Sequence, residues 1–87
     1  MNSLPKKPVL NRSFRMQWEE VQKCHVLLYP EGMIRLNTSA AEILKCCDGK
    51  TSVDDIVGTL EAKFNTTDLR EDIEAMLNHA HRENWIA

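Results

Sequence analysis

Residues 24–44, CHVLLYPEGMIRLNTSAAEIL, read as a strand, a tight turn, a second strand and the capped start of a helix. Val26, Leu27, Leu28 and Tyr29 are β-branched, apolar or aromatic, the composition of a strand covered on both faces. Pro30-Glu31-Gly32 then breaks the run. Proline lacks the ladder donor and glycine tolerates positive φ, so a short hairpin loop is expected there. Within residues 33–36, Ile34 and Leu36 fall on one face and Met33 and Arg35 on the other. Asn37-Thr38-Ser39 brings the side-chain oxygens that favour helix starts, and Ser39 with Glu42 has the spacing of a capping box.

Upstream, residues 12–18 alternate, with Phe14, Met16 and Trp18 on one side and Ser13, Arg15 and Gln17 on the other. That is a half-buried strand. Polar residues 19–23 connect it to the next. Short connections predict an antiparallel meander with the most apolar strand central and both outer strands left as edges. Residues 1–11, MNSLPKKPVLN, hold two prolines, two lysines and no apolar period, and read as a flexible arm.

Downstream the period lengthens. Ala40, Ile43, Leu44 and Cys47 recur at helical spacing, and Asp48-Gly49 is expected to end that helix. Thr51 or Ser52 caps a second helix, striped by Val53, Ile56, Val57, Leu60 and Phe64, with Asp54 and Asp55 favourable in its first turn. Leu69, Ile73, Met76, Leu77 and Ala80 mark a third, with Trp85 and Ile86 closing over the core. Trp18 and Trp85 are both expected to be core residues. The fold expected is α+β: a three-stranded antiparallel sheet followed by three helices, one domain over residues 12–87 behind an arm at 1–11.

An 87-residue chain that is 43% hydrophobic and 28% charged has the composition of one globular domain. It contains neither an apolar run long enough to span a membrane nor the apolar region of a signal peptide, so no membrane partner and a cytoplasmic location are expected. Three cysteines, two of them adjacent, do not form a secreted disulfide framework. The net charge of −2 hides an asymmetry. Residues 1–36 carry six Lys/Arg against three acids, and residues 37–87 carry five against ten. The sheet half is basic and the helical half acidic.

Spacing argues against chemistry. His79 and His81 lie on different sides of a helix, Cys46 and Cys47 are about 100° apart, and Cys24 and His25 point to opposite faces of a strand. There is no C-x-x-C, nucleophile elbow, phosphate loop or dinucleotide fingerprint. No metal, no cofactor and no enzymatic activity are expected.

Two binding functions remain. The second and third helices with their short turn resemble a helix-turn-helix beside a small sheet, so a winged, nucleic-acid-binding arrangement is one reading. Residues 66–84, however, carry five acids against Arg70 and Arg82, which opposes the phosphate contacts that supply affinity. Peptide binding fits better. The edge strand at residues 33–36 has Arg35 as its one gatekeeper, and an extended peptide adding as a fourth strand would gain main-chain hydrogen bonds there. Covering of that edge by the N-terminal arm or by a second subunit remains an open alternative, so monomer and homodimer are both possible.

The segment FRMQWEEVQKCHVLLYPEGMIRLNTSAAEILKCCDGKTSVDDIV resembles the coenzyme PQQ synthesis protein D family. The resemblance rests on LLYPEG, the strand after it, the N-x-[ST]-A-x-E-I-L helix start at Asn37 and the C-D-G turn at Cys47, and extends over residues 11–87. It implies a winged-helix-like peptide chaperone, a recognition element for a ribosomally made precursor. Such a protein would bind the pyrroloquinoline quinone (PQQ) precursor peptide and present it to the radical S-adenosylmethionine enzyme that cross-links its Glu and Tyr. Related domains take the peptide as a strand added to their third strand, beside the third helix. On this chain that implies Met33, Ile34, Arg35, Leu36 and Asn37, with Arg70, Ile73 and Leu77 assigned to the groove by helical spacing. The acidic face of the third helix is the expected dock for the enzyme.

Overall fold

Six elements follow one another in the computed structural model, which describes residues 4–87: β1 (Arg15–Glu19), β2 (Cys24–Tyr29), β3 (Gly32–Leu36), α1 (Thr38–Lys45), α2 (Val53–Lys63) and α3 (Arg70–Arg82). The sheet order is β1-β2-β3, antiparallel throughout, so the apolar β2 is central as expected. Register places Met16, Leu27 and Ile34 in one row and Trp18, His25 and Leu36 in the next, all on the face that meets the helices. Leu27, Leu44, Ile56, Leu77 and Ile86 are fully enclosed at the centre of the core. Burying side chains of this size contributes about 1.5–3 kcal/mol each, and they come from the sheet, all three helices and the C-terminal tail.

Each helix start has a local cause. Asn37 Oδ1 accepts from the Ala40 N–H at 2.7 Å, so Asn37 caps α1. The expected Ser39–Glu42 capping box is therefore not formed; Ser39 already lies inside the first turn. Glu42 instead bonds Lys45 and, across to α2, Lys63. Ser52 caps α2 through the Asp55 N–H at 3.0 Å. The start of α3 has no cap from its own N-cap residue; Glu61 of α2 accepts the Leu69 N–H at 3.0 Å. The first helix ends at Lys45, before Asp48-Gly49. Those two residues build the next turn instead: Asp48 Oδ1 accepts from the Lys50 and Thr51 N–H groups, and Gly49 adopts φ +78°.

Two aromatic side chains depart from expectation. Trp18 is 49% exposed, because it sits at the end of an edge strand; its ring meets His25 edge-on and its N–H donates to Glu20. Phe64 is 47% exposed at the C-cap of α2, beyond the last buried turn. Trp85 is buried, as expected. The first strand begins at Arg15 rather than residue 12, because Asn11 folds the chain into a turn by accepting the Ser13 N–H through its side chain and the Phe14 N–H through its carbonyl.

The expected flexible arm is corrected where it can be seen; residues 1–3 lie outside the described residues. Val9 bridges Asp48 and Leu10 bridges Ile86. Val9 and Ala87 exchange backbone hydrogen bonds at 3.1 and 2.9 Å, Leu10 N–H donates to Cys47, Asn11 N–H donates to Trp85, and Pro8 is fully buried. The segment is a strap across the α1–α2 turn and the C-terminal tail. It does not lie on β3.

Candidate functional site

The site is built from β3 outward. One side of β3 is paired with β2, and no described residue pairs with the other. In an antiparallel ladder alternate residues turn their N–H and C=O away from the neighbour, so this free side presents main-chain donors and acceptors to solvent. Ile34 is half-buried against the core and Leu36 is buried, while Met33 (46% exposed) and Arg35 stand on the opposite face. Arg35 makes one weak contact, to Gln22 Oε1 at 3.3 Å.

Beyond Leu36 the chain turns into α1, and there a mainly apolar cavity of about 260 Å³ opens between the three helices. Thr38, Ser39 and Ile43 of α1 line one wall, Leu60 and Phe64 another, and Leu69, Asp72 and Ile73 the third. Along the chain, Asn37 alone separates the free edge from the α1 wall of this cavity.

The residues assigned from sequence divide. Met33, Ile34 and Arg35 occupy the free edge. Asn37 is at its end, but its side-chain oxygen is committed to the α1 cap. Ile73 reaches the cavity while its bulk is in the core, and Leu77 is wholly enclosed, so Leu77 supports the site without lining it. Arg70 is not brought to the edge. It pairs with Asp54 at 2.6 Å and Glu74 at 2.9 Å, which hold its guanidinium pKa above the ordinary value, Asp54 having the larger effect. With Glu74 and Asn78 it lines a separate opening beside Leu4, Pro5 and Lys6.

Helical geometry explains the division. At about 100° per residue, Ile73, Leu77 and Ala80 define the buried line of α3, with Arg70 and Asn78 on one flank and Asp72 and Met76 on the other. The second flank is the one that meets α1. Leu69 and Asp72 are therefore residues that spacing alone missed. A helical wheel groups them, but which flank faces β3 depends on how α3 docks.

Among the described residues no catalytic geometry accompanies the edge. The Cys47 thiol donates to Ile43 O, and burial pushes its pKa up to about 12; burial raises Cys46 as well. Such thiols stay protonated and unreactive. Among the described residues no cluster of His, Cys, Asp and Glu could hold a metal ion, and no helix is long and apolar enough to cross a membrane. The first turn of α3 presents Glu71 and Asp72, the wrong charge for a helix entering a DNA groove.

A three-stranded sheet with one free edge, followed by three helices that enclose an apolar cavity, defines a small α+β domain of the sheet-then-helices class. Residues 24–86 match the family described as Coenzyme PQQ synthesis protein D (PqqD), and the chain belongs to that family. It is 52% identical over 85 residues to a PqqA binding protein of Pseudomonas aeruginosa, covering 97% of this chain and 92% of that one. A PqqA binding protein of Acinetobacter baylyi is 50% identical over 80 residues, 91% of this chain and 81% of that one. Among solved structures, the solution NMR structure of the PqqD truncation of Methylobacterium extorquens PqqCD superposes with a TM-score of 0.80 at 30% identity, covering 98% of this chain and 93% of that one. That domain is described as a functional, stand-alone recognition element for ribosomally synthesized and post-translationally modified peptides. The three-stranded sheet followed by three helices is thus the family's fold.

Proposed function

We propose that this chain is a peptide chaperone of PQQ biosynthesis that binds the precursor peptide PqqA, and that it does so by strand addition to β3. It is a binding protein and not an enzyme. The observation that carries the binding mode is the unpaired side of Gly32–Leu36 leading directly to the cavity lined by Leu69, Asp72 and Ile73. The peptide's backbone completes the ladder, and its inward side chains settle beside Ile34 and Leu36 and against the Leu69 and Met76 flank of α3. A disordered peptide loses conformational entropy on binding, so backbone pairing and a few apolar anchors must together exceed that cost. The bound peptide is then presented to the radical S-adenosylmethionine enzyme that cross-links its Glu and Tyr.

An amide chemical-shift titration of the labelled domain with PqqA tests this reading. Shifts concentrated on residues 32–37 and on the Leu69, Asp72 and Met76 flank are expected. Shifts confined to the Arg70 and Glu74 side of α3 would place the peptide elsewhere.

A further inference from the structure

The two faces of the sheet differ in a way that bears on which peptides the edge accepts. On the face away from the helices, register aligns Arg15, Leu28 and Met33 in one row and Gln17, Val26 and Arg35 in the next. Val26 has no exposed surface although it lies outside the helical core, flanked on its two sides by Gln17 and Arg35. The basic groups here are unspent. Among the described residues the ion pairs involve Lys23, Lys45, Lys63 and Arg70, and none involves Arg12, Arg15 or Arg35. Glu19, the acid of this face, turns back to accept the Val21 N–H.

A strand added to β3 places its side chains alternately on the two faces, each directly beside one β3 residue. Its residues beside Ile34 and Leu36 enter apolar surroundings. Its residue beside Met33 continues the row that already contains Leu28. Its residue beside Arg35 meets a guanidinium whose one partner is a 3.3 Å contact to Gln22, and the added strand removes water from one side of that charge. A carboxylate there supplies the missing partner; a lysine there opposes it.

Resting on the strand-addition reading, we propose that Arg35 is a specificity-determining residue: the edge selects a peptide strand that carries an Asp or Glu beside Arg35, on the face away from the helices, between apolar residues that point inward. The acceptable ligand is an amphipathic strand with acidic character on one side, and the basic sheet half of this otherwise acidic chain is what reads it.

The test is a charge exchange. PqqA and a set of variants, each with one Asp or Glu changed to Lys, are titrated into the wild-type domain and into Arg35→Glu. Binding of wild-type PqqA by Arg35→Glu is expected to weaken about fivefold, and one Lys variant is expected to weaken similarly against the wild-type domain. That same variant should regain its affinity with Arg35→Glu, while the others behave alike toward both proteins. Arg35→Gln should discriminate little between the paired peptides and serves as the control for folding, because the side chain is exposed. Absence of any Lys variant rescued by Arg35→Glu overturns the proposal while leaving strand addition intact. Amide shifts that miss Gly32–Leu36 at saturation with wild-type PqqA overturn both.

Discussion

Asn37 Oδ1 lies 2.7 Å from the Ala40 nitrogen, so the residue that ends the open strand also starts the helix forming one wall of the cavity. That bond, the Ala41 N–H to Asn37 O bond and the shared core of Leu36, Ala40 and Ile43 together fix β3 relative to α1. Asn37→Ala removes the side-chain bond and is expected to cost about 1 kcal/mol of stability, whereas Asn37→Asp keeps the acceptor and loses little. Urea unfolding of the three proteins, with unchanged m-values, checks the difference.

Glu42 joins α1 to α2 through Lys63, and that hydrogen bond is the main reason its pKa lies below the ordinary 4.5. A carboxylate with a depressed folded pKa contributes stability that is fully present above its unfolded value and is lost as pH falls through the folded one. Thermal stability should therefore decline below about pH 4.5, and Glu42→Gln should both lower the neutral-pH Tm and flatten that acid limb. An acid limb identical in the two proteins would show that the pair is too solvated to matter.

Deleting residues 1–10 is expected to lower Tm by roughly 10 °C or more, because it removes backbone bonds to Cys47, Gly49 and Ala87 and uncovers Ile86, a loss of about 2–4 kcal/mol. A thermal scan by circular dichroism measures it. An unchanged Tm would return this segment to the status of a free arm.

For peptide binding, Ile34→Pro removes a main-chain donor and distorts β3, and is expected to abolish binding of PqqA by the folded protein. Met76→Asp, on the flank of α3 facing α1, should weaken it severalfold through the lost apolar contact. Arg70→Ala, on the opposite flank, should change affinity by less than about twofold. Isothermal titration of the three variants against PqqA separates the two flanks. A large loss with Arg70→Ala alone would move the groove to the other side of α3.

The elements were legible in the residues because each is specified locally: alternation set the strands, apolar stripes set the helices, and Thr51-Ser52 announced a cap that Ser52 supplies. Several departures involve positions whose state depends on something distant. Trp18 and Phe64 continue their apolar patterns faithfully, yet each lies just past the end of the surface that would cover it. The prolines and lysines of residues 4–11 look like an unstructured tail because the strap's partners, Asp48 and Ile86, are far along the chain. Arg70 stands on the flank that pairs with Asp54, away from β3, which spacing cannot give because it orders residues around α3 without saying how the helix is turned. Ser39 had the right spacing for a capping box and lost to Asn37, two residues earlier, whose oxygen already reaches the helix.

The exchange of hydrogen bonds between Val9 and Ala87 has an architectural consequence. Val9, ahead of the first strand, and Ala87, past the last helix, lie side by side, and neither pairs with β3. A domain whose ends meet can be appended to another protein, set between two others, or inserted into a surface loop without stretching any of its own elements. Each of those arrangements leaves the free edge of β3 untouched, so a fold of this kind can travel between host proteins as a portable cassette.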